Sequence, residues 1–185
     1  PLNMGSLGVC GPRAGNFAAQ KSDLILAIGT RLSQMITGGK QNLFAPNAKK
    51  IMVDIDKEEL NKFSRNEVVL DLKIHADVNQ FFDEFMPYFR KSWTDTWQDW
   101  RNLILYWKQK YPICLPKYYD RNNLVDAHVF IKELSRHANE GDIILTDAGG
   151  NLSWTMQAFE TKKGQRLFSA WNHSPMGYSM PAAIG

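Results

Sequence analysis

The amino-acid sequence predicts an α/β fold, with a doubly wound, Rossmann-like parallel sheet first and a partial second α/β unit after it. Two short apolar runs, DLILAIG at residues 23–29 and KIMVDID at residues 50–56, end in glycine or aspartate. Such runs are typical of parallel strands that are buried on both faces. In addition, the order helix, strand, glycine loop, helix, strand recurs after residue 123. Together these patterns favour ligand binding beyond the carboxyl ends of the strands.

The first unit is predicted to be a β/α domain that spans residues 1–90. Its third strand is expected at residues 67–74, because the apolar residues Val68, Leu70 and Leu72 recur there at every second position. Helices are expected before the first strand and after the second and third, at residues 14–21, 57–61 and 77–89.

A tryptophan-rich helix is predicted at residues 93–110, within a helical linker at residues 91–122. Its apolar side chains recur at steps of three and four and share one stripe, which comprises Trp93, Trp97, Trp100, Ile104 and Trp107. Such a stripe is expected to dock against a neighbouring domain or subunit. The segment YPICLP at residues 111–116 then ends the helix, because proline cannot continue it.

The second unit, at residues 123–185, is predicted to open a further α/β domain. A helix is expected from residue 123, with an apolar face that comprises Leu124, Ala127, Ile131 and Leu134. A strand at residues 143–147 is expected to lead into a glycine turn and another helix, and a second strand to follow at residues 166–170. The sequence closes on MPAAIG, which has the pattern of an unfinished helix. The chain is therefore predicted to be a piece of a longer protein.

Composition argues against several classes of protein. The 22 basic and 19 acidic residues give a net charge of +3 and are spread along the chain, so no nucleic-acid partner is expected. No apolar run approaches the roughly 20 residues that cross a bilayer, and a soluble, cytoplasmic protein is predicted. Cys10 and Cys114 are far apart in the chain, which favours two free thiols. The four histidines are scattered and no serine has a GxSxG frame, so neither a histidine metal site nor a hydrolase is supported.

The segment TDAGGN at residues 146–151 is the strongest local signal for a ligand. Its small residues let backbone amides approach an anion, the start of the following helix adds positive partial charge, and Asn151 offers a side-chain hydrogen bond. This arrangement predicts a diphosphate site, although a tight turn from strand to helix needs glycine in any case. Asp54 and Asp56, at the end of the second strand, either bind ribose hydroxyls or cap the next helix.

Several segments, taken in order, resemble thiamine diphosphate-dependent enzymes of the acetolactate synthase type. The resemblance to the central domain of that family rests on five segments, which are GNFAA at 15–19, SDLILAIGTR at 22–31, FAP at 44–46, KKIMVDID at 49–56 and HAD at 75–77. The start of the family's diphosphate-binding domain is similar to TDAGGN with Trp154 and Gln157, followed by SPMGYSMPAAIG at residues 174–185. The resemblance covers nearly all of the chain except residues 91–122.

The resemblance implies a chemistry carried by the cofactor, whose thiazolium carbanion adds to a 2-keto acid before carbon dioxide leaves. Met176 matches the bulky apolar residue that holds the family's cofactor in a bent shape, and it is the candidate catalytic residue. Gly149, Gly150 and Asn151 match the diphosphate contacts, although glutamine and histidine are commoner at the last two positions. The loop beside the aminopyrimidine ring is matched by Ser174, Met176 and Gly177.

The resemblance also implies groups that lie outside residues 1–185. The glutamate that activates the cofactor belongs to the family's first domain, and the GDG…N motif that binds Mg²⁺ is expected after residue 185. This part of the protein is therefore predicted to be inactive alone, and the full-length protein to be a homodimer or homotetramer. FAD stays open, because Arg31, Asp54 and Asp56 match the FAD region of acetolactate synthases whereas LSQM at residues 32–35 departs from it.

Three hypotheses for the function follow. The first is a 2-keto acid decarboxylase or carboligase of the acetolactate synthase type. The second is a carboligase or decarboxylase of sugar or polysaccharide biosynthesis, because Gly150, Asn151 and WNHS at residues 171–174 suggest a specialised pocket. The third is a non-catalytic nucleotide-binding module that kept the fold.

Overall fold

Three parallel strands form the sheet of the first unit, in the order β1 (Leu24–Ile28), β2 (Lys49–Asp54) and β3 (Leu72–His75). The computed structural model describes residues 2–64, 67–92, 97–120, 124–171 and 173–185. In the register of the sheet, Ile28 lies opposite Val53 and Asp54 lies opposite His75. The carboxyl ends of the three strands therefore meet at one edge.

Helices precede, connect and follow the strands of this unit, which comprises residues 2–9 and 13–108 among those described. They are α1 (Arg13–Lys21), α2 (Gln34–Thr37), α3 (Lys57–Asn61), α4 (Val78–Ser92) and α5 (Gln98–Lys110). Two short 3-10 helices occur at Gly8–Cys10 and Gln41–Leu43. In α5, Ile104 is buried, and the Trp107 ring packs edge-on against Phe17 of α1 with centroids 6.0 Å apart. Trp93 of the predicted stripe lies outside the described residues.

The core of the first unit packs against β2, whose Met52 and Val53 are fully buried. Leu60 and Val68 belong to the same apolar cluster as Met52. The prediction of a strand from residue 67 is wrong, because Val68 reaches this core from a loop that precedes β3. The Asp71 carboxylate accepts the Lys50 N–H and the Asp71 N–H donates to the Lys50 carbonyl. Pairing with β2 thus begins only at the end of that loop.

The second unit comprises residues 10–12 and 109–185 among those described. Its elements are α6 (Pro116–Tyr119), α7 (Ala127–His137), β4 (Ile143–Leu145), α8 (Gly150–Ala158), β5 (Arg166–Phe168) and α9 (Ser179–Ile184). β4 and β5 are parallel, with Ile144 opposite Leu167. The predicted α/β class with parallel sheets is confirmed.

The start of α7 lies later than predicted. The Asp126 carboxylate caps the helix by accepting the N–H groups of His128 and Val129, and Asn123 lies outside the described residues. Leu124 therefore precedes the helix and is exposed, whereas Ile131 is buried. A hydrogen-bond contact of 3.1 Å between His128 Nε2 and Gln157 Oε1 connects α7 to α8.

Two further predictions can be compared with the structure. Cys10 and Cys114 are both free thiols, as expected from their positions in the sequence. Across the described ranges, no helix combines the length and apolar character needed to cross a membrane.

Candidate functional site

The glycine turn that follows β4 exposes backbone rather than side chains. Gly149 has φ 85° and ψ −151°, a conformation that glycine tolerates and side chains oppose. Gly150 opens α8, and a Cβ added there would lie 2.8 Å from the ring of Trp154. Backbone conformation therefore requires the first glycine, whereas a side chain at the second position would have to displace the Trp154 ring. Both residues are exposed, so their backbone remains accessible to a ligand.

Asn151 connects the end of the strand to the start of the helix. Its Oδ1 accepts a hydrogen bond from the Thr146 hydroxyl at 2.7 Å, and its Nδ2 donates to the Ala148 carbonyl at 3.0 Å. Thr146, which donates the first of these hydrogen bonds, is buried. The carboxamide thus stabilises the shape of the turn, while its predicted contact with a diphosphate stays a prediction.

The loop after β5 projects Met176 away from the protein. Ser174 has φ 41° and Gly177 has φ 86°, so two left-handed residues flank the tip of the loop. The Ser174 hydroxyl donates to the Trp171 carbonyl at 3.0 Å, which holds the approach to the tip. Met176 is 93% exposed. An apolar side chain in this position has its surface available for a ligand or for another part of the protein.

Asp147 joins the glycine turn to the Met176 loop. Its Oδ1 accepts the Gly177 N–H at 3.0 Å, and its Oδ2 accepts both the N–H and the hydroxyl of Ser179, at 3.1 and 3.0 Å. Oδ1 also accepts the Ala148 N–H at 2.7 Å. The two segments singled out in the sequence therefore lie together. Sequence reasoning took Asp147 only as the end of a strand, although an acidic residue directly before a glycine turn is itself a signal.

These hydrogen bonds favour the ionised form of Asp147. The backbone N–H groups of Ser179 and Ala148, followed by the Ser179 hydroxyl and the Gly177 N–H, hold the pKa of the Asp147 carboxyl below its usual value, whereas desolvation opposes them. The carboxylate is therefore charged at neutral pH, and donors from both the loop and the glycine turn stabilise its negative charge.

The residues predicted to contact FAD lie in the first unit, at the carboxyl edge of its sheet. The buried Asp54 carboxylate accepts the Asp56 N–H at 2.9 Å, and the Asp56 carboxylate accepts the Glu58 N–H at 2.9 Å to cap α3. The capping role of Asp56 is thus confirmed. Arg31 is largely exposed, with Nε 3.5 Å from the Glu59 carboxylate. Within the described part of the chain, no group of three or more His, Cys, Asp and Glu side chains could hold a metal ion.

Comparison with known proteins covers the whole chain. Residues 1–85 match the family described as thiamine pyrophosphate enzyme, central domain. All of the chain aligns at 31% identity with the acetolactate synthase isozyme 1 large subunit of Escherichia coli K12, and at 35% with the acetolactate synthase large subunit of Cyanidium caldarium. A probable acetolactate synthase large subunit of Methanocaldococcus jannaschii is 31% identical. The chain spans 31% of the length of each of these relatives. The resemblance inferred from the sequence is confirmed.

Proposed function

We propose that this chain belongs to the thiamine pyrophosphate-dependent enzyme family and is part of an acetolactate synthase-like enzyme that acts on 2-keto acids. It joins most of the enzyme's central domain to the start of its cofactor-binding domain. The similarity to acetolactate synthase large subunits along all of the chain supports this proposal. The relatives give no support to a sugar-pathway enzyme or to a non-catalytic nucleotide-binding module.

The geometry of the second unit fits thiamine diphosphate. The exposed glycine turn offers backbone amides at the start of a helix, where an anionic diphosphate is favoured. The exposed Met176 offers an apolar surface at the tip of a loop held close to that turn. A ligand with a charged end and an aromatic ring suits such a pair. The residues that would contact it are Gly149, Gly150, Asn151, Ser174, Met176 and Gly177.

In this proposal, the residues of this chain bind the cofactor and orient it. When bound, thiamine diphosphate supplies a carbanion that attacks the keto carbon of the substrate. The glycine turn would hold the diphosphate, and Met176 would support the bent shape of the cofactor. The single observation that carries the proposal is the set of hydrogen bonds that the Asp147 carboxylate accepts from both the turn and the loop.

The remaining parts of the site would come from outside this chain. The glutamate that activates the cofactor and the ligands of Mg²⁺ belong to other parts of the full-length protein, so residues 1–185 alone would be inactive. The full-length enzyme would act as a lyase or transferase in a homodimer or homotetramer. The residues that would contact FAD are Arg31, Asp54 and Asp56, at the carboxyl edge of the first sheet.

A screen of 2-keto acids tests the proposed function. The full-length protein is incubated with thiamine diphosphate, Mg²⁺ and each 2-keto acid, and release of carbon dioxide is measured. We expect release with at least one acid, none without the cofactor, and none with residues 1–185 alone. Binding of thiamine diphosphate without turnover of any 2-keto acid would overturn the enzyme assignment. The absorbance spectrum of the purified protein decides between presence and absence of FAD.

A further inference from the structure

The loop that presents Met176 depends on contacts from outside the loop for its shape. Ser174 adopts a left-handed conformation that is unfavourable for a residue with a side chain. Gly177 is also left-handed, and because it is glycine the backbone can adopt many other conformations at this position. Met176 itself is almost fully exposed and adds no packing that would hold the tip.

The Asp147 carboxylate supplies those contacts. It accepts hydrogen bonds from the N–H groups of Gly177 and Ser179 and from the hydroxyl of Ser179. Both residues follow Met176, which lies at the tip of the loop. The same carboxylate accepts the Ala148 N–H of the glycine turn. A single charged group therefore hydrogen-bonds to both the turn and the loop.

We propose that Asp147 is a positioning residue, which clamps the 174–179 loop so that Met176 stands in a fixed place relative to the glycine turn. What Met176 contacts rests on the proposed function, whereas the clamp is a property of this chain. Asp147 does not touch the reacting atoms in this proposal. It acts through Met176, by excluding loop conformations in which the methionine has moved away.

Holding the loop depends on the negative charge of the Asp147 side chain as well as on its shape. Among the described residues, the four groups that hydrogen-bond to the carboxylate all donate to it, so both of its oxygens accept. Asparagine has the same size, but its NH₂ group would face N–H donors and leave them unpaired. Hydrogen bonds to an ionised acceptor are also stronger than those to a neutral one. Asp147→Asn should therefore remove the hydrogen bonds that one of the two carboxylate oxygens accepts, without making a cavity.

Hydrogen exchange of the full-length protein without cofactor tests the clamp directly. In Asp147→Asn, amides at residues 176–180 should exchange about 10-fold faster than in wild type, because Gly177 and Ser179 lose their charged acceptor and the segment around them opens more often. Asp142→Asn is the matched control. Asp142 lies just before the start of β4, and its carboxylate also accepts a backbone N–H, that of Asn139 at 2.7 Å. In the control, exchange at residues 176–180 should equal that of wild type.

Ser179→Ala is a milder second variant that guards against misfolding of Asp147→Asn. It removes the hydroxyl donor and keeps both backbone donors, so exchange at residues 176–180 should rise by about 3-fold. Turnover and the dissociation constant of thiamine diphosphate are then measured by activity assay and calorimetry. In Asp147→Asn, turnover at saturating cofactor should fall about 10-fold, while the dissociation constant should rise less than about 3-fold.

The outcomes separate the clamp from the proposed function. Wild-type exchange at residues 176–180 in both Asp147→Asn and Ser179→Ala would overturn the clamp. Faster exchange combined with wild-type turnover would overturn the positioning role. If wild-type protein binds no thiamine diphosphate, the proposed function fails, and exchange in the variants still decides whether Asp147 holds the loop.

Discussion

Replacement of Met176 with alanine separates the geometry of a bound cofactor from its affinity. Because Met176 is 93% exposed, the substitution makes no cavity, and the free energy of unfolding should change by less than about 0.5 kcal/mol. If the cofactor covers half of the side chain, its loss removes about 1 kcal/mol of apolar burial and weakens cofactor binding about 5-fold. A displacement of reacting groups by about 1 Å lowers a rate about 100-fold, so turnover should fall far more than affinity.

The assay compares turnover with the thiamine diphosphate dissociation constant in the full-length wild type and variant. Met180→Ala is the matched control, because Met180 is a second methionine in the same region, lies in α9 and is 76% exposed. Turnover of the control should stay within about 3-fold of wild type. Unchanged turnover in Met176→Ala, or an equal loss in both variants, would refute the role of Met176 in shaping the cofactor.

Three further predictions concern stability, each measured by urea denaturation of the full-length protein with the transition of the relevant unit followed. Met52→Ala should lower the free energy of unfolding by about 2–5 kcal/mol, because Met52 is fully buried in the core beside β1. Asp56→Ala should lower it by about 1 kcal/mol, because the cap of α3 is lost. Asp147 has a folded pKa below its usual 3.8, so its stabilisation is complete above that value and is lost as the pH falls through the folded pKa.

Each of these predictions has its own control. Met35→Ala, at a half-exposed methionine, should cost much less than Met52→Ala, and an equal loss would contradict the position of the core. Ile55 is exposed beside Asp56, so Ile55→Ala should leave α3 stable if capping is the cause. For Asp147, the difference in stability between wild type and Asp147→Asn should shrink in acid. If that difference in the free energy of unfolding stays constant from neutral pH into acid, the proposed role of the ionised Asp147 carboxylate is contradicted.

Strands could be predicted where an apolar run coincides with burial on both faces. β1 lies inside the predicted range 23–29, and β2 begins one residue before its predicted start. The prediction failed for the start of the third strand, because alternating apolar residues also arise when a loop places Val68 in the core. Where pairing begins depends on the contacts of Asp71 with Lys50, 21 residues earlier in the chain. Such a contact has no local signature.

The candidate site could be predicted only in part. The glycine turn and the Met176 loop each carry local signals, since small residues cluster in both. Asp147 could not be given its role, because Gly177 and Ser179 lie 30 and 32 residues later in the chain. Two of its donors from the loop are backbone amides, which every residue except proline possesses. Nothing in the residue types shows which carboxylate they meet.

The claim that one thiamine diphosphate lies between the turn at residues 147–151 and the loop at residues 174–179 can be measured directly. Hydrogen exchange of the full-length protein is recorded with and without thiamine diphosphate and Mg²⁺. We predict that the cofactor slows exchange in both segments at the same concentration, because a single ligand contacts both. Slower exchange in only one segment, or in neither while the cofactor is bound, would contradict a shared site.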